Sequence, residues 1–90
     1  MKRWIHVSFA WPAGGEAETF EAVFDKAVDW FKYSRNCYFI YTGKDIDDWR
    51  ERVSNIRGMQ GKNVVVLEID VEGLSGYLPE WMWKRLRDKG

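Results

Sequence analysis

The sequence contains one cysteine and two prolines, and it has no excess of charge of either sign. The single cysteine, Cys37, cannot form a disulfide within the chain, so a reducing compartment is expected. Basic and acidic side chains number 14 each. This balance argues against a general nucleic-acid binder and against a polybasic membrane anchor, because both need a basic excess.

Long apolar runs and targeting signals are also lacking. A strand pattern begins directly after Met1, without the apolar core of about 7–15 residues that defines a signal peptide. No run approaches the roughly 20 apolar residues of a membrane span. We therefore expect a cytoplasmic protein that does not enter a membrane.

Motifs for metals and cofactors are absent as well. One histidine, His6, and one cysteine fit none of the zinc patterns, which cluster several ligands at short spacing. Gly14-Gly15 and the segment 42–44 precede predicted helices, but neither forms a dinucleotide or phosphate-loop motif. Acidic residues follow both segments and would repel a phosphate. The sequence predicts no metal and no cofactor.

Aromatic side chains are abundant, with six Trp, four Tyr and five Phe in 90 residues. Each ring buries roughly 150–250 Å² in a core. A chain of this length forms one domain, and these rings allow it to fold without a disulfide or a metal. Residues 1–90 are therefore predicted to form a single α/β domain.

Hydrophobic periodicity divides the chain into alternating strands and helices. The predicted strands cover residues 4–11, 37–42 and 63–71, and the predicted helices cover 16–33, 46–57 and 80–88. The order β-α-β-α-β-α predicts crossover connections and hence a three-stranded, at least partly parallel sheet in two or three layers. A Trp-rich C-terminal helix closes this fold.

A ferredoxin-like α+β fold is the alternative. It requires residues 30–34 to form a fourth strand and a hairpin to form near Arg35-Asn36. The apolar stripe of the first helix extends to Phe31, which favours a continuous helix over that strand.

The first predicted helix carries a row of carboxylates opposite its Phe stripe. The row consists of Glu18, Glu21, Asp25 and Asp29. Like charges four residues apart are mildly destabilising on a helix. A helix that tolerates them is a candidate surface for a partner protein with a basic surface.

Two tryptophans lie off the predicted core. Trp4 opens the first strand on its non-core side, and Trp81 lies off the apolar face of the C-terminal helix. Exposed Trp is enriched in interface hot spots. Alternatively, the C-terminal helix folds over the second face of the sheet and buries Trp4.

The predicted function is a non-enzymatic protein-binding module that uses the acidic row, Trp4 and Trp81. An adaptor or inhibitor of this format is common among phage and mobile-element accessory proteins. No chemical constellation in the sequence favours an enzyme.

Two alternatives remain. A minimal hydrolase or nuclease would use His6 with Glu68 and Asp70, if the apolar rows of their strands share one sheet face. An RNA-binding sheet would present aromatic platforms for base stacking, namely Trp4, Tyr38 and Tyr41.

Overall fold

A computed structural model describes residues 1–89. Its elements form the order β-α-β-β-α-β-α, with a short 3-10 turn at Val71–Gly73 before the last helix. The strands are β1 (Arg3–Phe9), β2 (Asp29–Ser34), β3 (Cys37–Thr42) and β4 (Val64–Glu68), and the helices are α1 (Ala17–Phe24), α2 (Ile46–Ser54) and α3 (Glu80–Lys89).

The sheet has four strands in the order β2-β3-β1-β4, and every neighbouring pair is antiparallel. The predicted three-stranded, partly parallel sheet is therefore wrong. The crossover through α1 does place β2 in the same direction as β1, as the prediction required. The β2–β3 hairpin, however, places β3 between these two strands, so no parallel pair forms.

The ferredoxin-like alternative is confirmed. The fourth strand occupies Asp29–Ser34, and the hairpin turns at Arg35-Asn36. The predicted helix 16–33 is accordingly too long: α1 ends at Phe24, and the N–H of Ala27 donates to the Phe24 carbonyl in the turn that follows. The predicted helix was too long because Phe31 fits the apolar stripe of a helix and also the alternating pattern of a strand.

The helices α1 and α2 cover one face of the sheet. Odd-numbered residues of β1 point to this face, and they pack on Phe20 and Phe24 of α1 and on Trp49 and Val53 of α2. The buried β-strand residues of this core are Ile5, Val7, Phe9, Tyr38 and Ile40.

The helix α3 lies on the opposite face. Its Met82 and Leu86 are buried against Trp4, Phe31 and Phe39. The C-terminal helix therefore covers Trp4, as the second interpretation of that residue required. Because α3 reaches only part of this face, the rest of the surface is left to side chains of β1, β2 and β4.

Candidate interaction surface

His6 lies on β1, on the sheet face that α3 partly covers. Its Nε2 is 2.6 Å from the Tyr33 hydroxyl of β2, and its ring meets Phe39 of β3 edge-on at 5.3 Å. Burial lowers the pKa of His6 below its ordinary value of 6.5. Burial and then the hydrogen bond to the Cys37 thiol raise the pKa of Tyr33 to about 12.

Glu68 and Asp70 do not join His6. The β1–β4 register places Leu67 opposite His6 and Glu68 opposite Ile5, so Glu68 lies on the face of α1 and α2. Its Oε1 is 3.4 Å from Nε of Arg3. Asp70 follows β4 and accepts a hydrogen bond from the Glu72 N–H at 3.1 Å.

The acid–base cluster of the hydrolase alternative is therefore not assembled. The condition that β1 and β4 share their longer apolar rows is not met, because the Val64 and Val66 row of β4 faces the core of α1 and α2. Within residues 1–89, no three His, Cys, Asp or Glu side chains are grouped as metal ligands.

The acidic row is dispersed because α1 ends at Phe24. Glu21 accepts from Lys32 Nζ at 2.7 Å, and Asp25 accepts from the Trp30 indole N–H at 2.8 Å. Asp29 starts β2 and forms two hydrogen bonds with Arg85 of α3, at 2.9 and 2.5 Å. The fourth carboxylate, Glu18, lies in the first turn of α1 and takes part in none of these bonds.

The tryptophans predicted for partner binding have different environments. Trp4 is 1% exposed, packed edge-on to Phe31 at 5.6 Å between ring centroids. Trp81 is 50% exposed and keeps one edge on Phe31 at 5.5 Å. Only Trp81 is therefore accessible to a partner.

The three aromatic platforms of the RNA-binding alternative do not form one open face. Tyr38 is buried under α1 and α2, on the face opposite Trp4. The Tyr41 hydroxyl donates to the Lys89 carbonyl at 3.2 Å, beneath the end of α3. Stacking of successive bases needs exposed rings, and Trp4 is covered as well.

An open apolar surface remains beside α3. It consists of His6, Ser8, Tyr33, Val65 and Leu67, and we call it the open surface. Val65 and Leu67 are 52% and 43% exposed, although they project from the same face of the sheet that α3 covers elsewhere. On the other side of His6 from β4, Tyr33 and Phe39 border a shallow groove of about 190 Å³ whose other wall is the segment 74–78 and Trp83.

The outer edge of β4 adjoins the open surface. At its inner edge, the N–H of Ile69 donates to the Trp4 carbonyl, and the carbonyl of Asn63 accepts from Ala10. Backbone groups alternate in direction along an antiparallel strand. The even-numbered residues Val64, Val66 and Glu68 therefore direct their N–H and C=O groups away from the sheet.

The two sheet edges differ in protection. β2, at the other edge, carries Lys32 and a register irregularity between Lys32 and Ser34, both of which hinder pairing with another strand. β4 is one residue shorter than β2 and ends in Glu68, but its stretch from Val64 to Leu67 has no charge, bulge or proline. The β4 edge is thus the accessible one for strand addition.

Comparisons with known proteins give no relative: no family model, no curated protein and no solved structure matches the chain. Within residues 1–89, no helix has the length and apolar character to cross a membrane.

Sequence reasoning missed the open surface and the β4 edge. The signal was present in the Val-Val-Val-Leu run, because a strand with apolar residues on both sides must bury both faces or leave one to a partner. Such a run is typical of a central or doubly covered strand, whereas β4 lies at the edge of the sheet.

Proposed function

We propose that this protein is a non-enzymatic protein-binding module, an adaptor or inhibitor that takes an extended segment of its partner along β4. The observation that carries the proposal is the unprotected β4 edge next to the exposed Val65 and Leu67. An extended peptide that adds to a sheet edge gains affinity from main-chain hydrogen bonds. Its specificity comes from the alternate side chains that meet the sheet face.

The chemistry of the open surface defines the partner segment. Val65 and Leu67 would contact apolar side chains at alternate positions of the added strand. A basic partner surface is no longer favoured, because ion pairs and hydrogen bonds within the fold engage Glu21, Asp25 and Asp29.

Cytoplasmic residence is part of the same proposal. Cys37 is a free, partly exposed thiol, and a reducing compartment would keep it free.

The test is a selection of random peptides of about ten residues, long enough to span the five-residue edge, displayed on phage against the immobilised protein. The wild type should enrich peptides that alternate apolar and polar residues. Val66→Pro removes an outward N–H from the centre of the edge, and proline is tolerated at such an edge position. It should weaken binding of the selected peptides about five- to tenfold.

Val66→Ala is the matched control, because it removes the same side-chain packing and retains the N–H. It should bind the selected peptides with wild-type affinity once folding is verified by circular dichroism. If Val66→Pro does not fold, Leu67→Lys serves instead, since it changes only an exposed side chain. No enrichment on the wild type, or equal affinity of all variants, would show that the edge binds no peptide.

A further inference from the structure

We propose that the segment bound by β4 is β4 of a second copy of this chain, so that two four-stranded sheets join across a two-fold axis. This inference rests on the proposed function, because it names the partner of the same edge. It requires that the edge be complementary to itself, since a two-fold interface brings the same patch of both copies together.

The outward backbone groups allow such a pairing. Because the even-numbered residues direct their N–H and C=O groups outward, an antiparallel pair of β4 strands must place even-numbered residues opposite one another. A two-fold axis at Val65 does this. It sets Val64 of each copy opposite Val66 of the other and brings the two Val65 side chains together on the open surface.

Charge complementarity favours this register. With the axis at Val65, Lys62 of each copy, two residues before β4, comes to the same end of the strand pair as Glu68 of the other copy. Both residues are exposed in the single chain, and Glu68 also lies 3.4 Å from Arg3 of its own chain. Opposite charges in cross-strand positions stabilise a strand pair. An axis at Val66 would place Val64 opposite Glu68, which joins an apolar side chain to a carboxylate.

The net charge of the chain does not oppose the association. The chain has a formal net charge of zero, so two copies approach without overall repulsion. The pairing covers the exposed Val65 side chains and places Leu67 against Asn63. Interfaces built on one short strand pair are at the small, transient end of protein interfaces, so we expect a reversible dimer.

The test is sedimentation velocity of the full chain at low ionic strength, from about 5 to 500 µM, a range suited to a weak dimer. The wild type should move from its mass of 10.7 kDa towards twice that value as concentration rises. Added salt should weaken the dimer, since exposed charge pairs are screened.

Two charge reversals identify the register. Lys62→Glu and Glu68→Lys each place like charges opposite one another at both ends of the pair, so each variant should remain monomeric. Mixed in equal amounts, the two variants have opposite charges at both ends and should form a dimer again. Lys26→Glu makes the same charge change at an exposed residue after α1 and should associate as the wild type does.

The outcomes separate this inference from the proposed function. A wild-type chain that stays monomeric while the peptide selection succeeds overturns the second copy as partner and leaves the peptide-binding edge intact. If both charge-reversal variants still form dimers, or if the two variants do not associate on mixing, the interface lies elsewhere and the β4–β4 dimer is overturned as well. Repeating the peptide selection on the monomeric Lys62→Glu variant keeps the edge free, so its failure there counts against the proposed function alone.

Discussion

His6 is the single histidine of the chain, and its environment determines its charge. The ring is partly buried beside Tyr33 and Phe39, and burial lowers the pKa of His6. The folded protein therefore holds a neutral imidazole at pH 7, and the hydrogen bond to Tyr33 joins two neutral groups. This pair forms one end of the open surface without presenting a charge to a partner.

The lowered pKa of His6 predicts a pH dependence of stability. At pH values just below 6.5, the ordinary pKa of a histidine, the unfolded chain binds a proton at His6 that the folded chain does not bind. The free energy of unfolding therefore falls as the pH drops through this range. The free energy of unfolding, measured in urea at about pH 7.5 and about pH 5.5, should drop more between these two pH values in the wild type than in His6→Asn.

Tyr33→Phe is the control for this measurement. It removes the hydrogen bond but retains the buried histidine, and burial is the cause of the lowered pKa. It should keep the wild-type difference between the two pH values. Equal losses in wild type and His6→Asn would mean that His6 has the same pKa in the folded and unfolded chains.

At the scale of elements, the attachment of α3 to the sheet includes one partly buried ion pair. Asp29 at the start of β2 accepts two hydrogen bonds from the Arg85 guanidinium, and its side chain is only 15% exposed. Burial alone would raise the pKa of Asp29, but the hydrogen bonds and charge of Arg85 outweigh it and hold this pKa below its usual value.

Asp29→Asn should therefore loosen α3. We expect a loss of about 1–2 kcal/mol in the free energy of unfolding at pH 7, because Arg85 loses its charged partner but its side chain, 40% exposed, regains water. The loss should shrink as the pH falls through the lowered pKa of Asp29, where the wild type also becomes neutral. Urea unfolding followed by tryptophan fluorescence measures both effects.

Asp88→Asn provides the comparison within α3. Asp88 pairs with Lys84 at 2.9 Å, but both side chains are at least 60% exposed, and such pairs contribute about 0.3–0.5 kcal/mol. If Asp29→Asn costs no more than Asp88→Asn, the Asp29–Arg85 pair does not hold α3 in place.

The sequence indicated most of the elements but not the boundary between α1 and β2. Strands 4–11 and 37–42 and the last two helices lie close to the predicted positions, because their apolar patterns fit one period only. Phe31 fits two periods, and no glycine or proline marks the turn at residues 25–28. Whether Phe31 belongs to a longer helix or to a strand depends on whether it packs with Phe24 or on the opposite face of the sheet. Only the tertiary structure decides this.

The candidate surface was less predictable than the fold. In β4 both rows are apolar from Val64 to Leu67, so alternation cannot assign a face. The partners of Glu21, Asp25 and Asp29 come from Lys32, Trp30 and Arg85, whose proximity depends on the β2 strand and on α3. The prediction that Trp81 is accessible was possible because its helical position alone places it off the apolar face.

At the scale of the whole molecule, the sheet separates two apolar layers of unequal size. The layer under α1 and α2 is enclosed by two helices and contains the fully buried Trp49, whose indole N–H donates to Thr42 Oγ1 at 3.1 Å. The layer under α3 is smaller and is built around Trp4. The smaller layer ends at the open surface, so α3 should open at lower free energy than the rest of the fold.

Leu86→Asp tests whether α3 opens at lower free energy than the rest of the fold. Leu86 is fully buried, and a carboxylate there should displace α3, at a cost of about 3–5 kcal/mol for the lost packing alone. The Trp4 indole N–H should then exchange rapidly with D₂O in NMR spectra. The Trp49 indole N–H, on the enclosed side, should stay protected and serves as the internal control. If both indoles become exposed together, the two layers unfold as one unit, and the open surface cannot change independently of the main core.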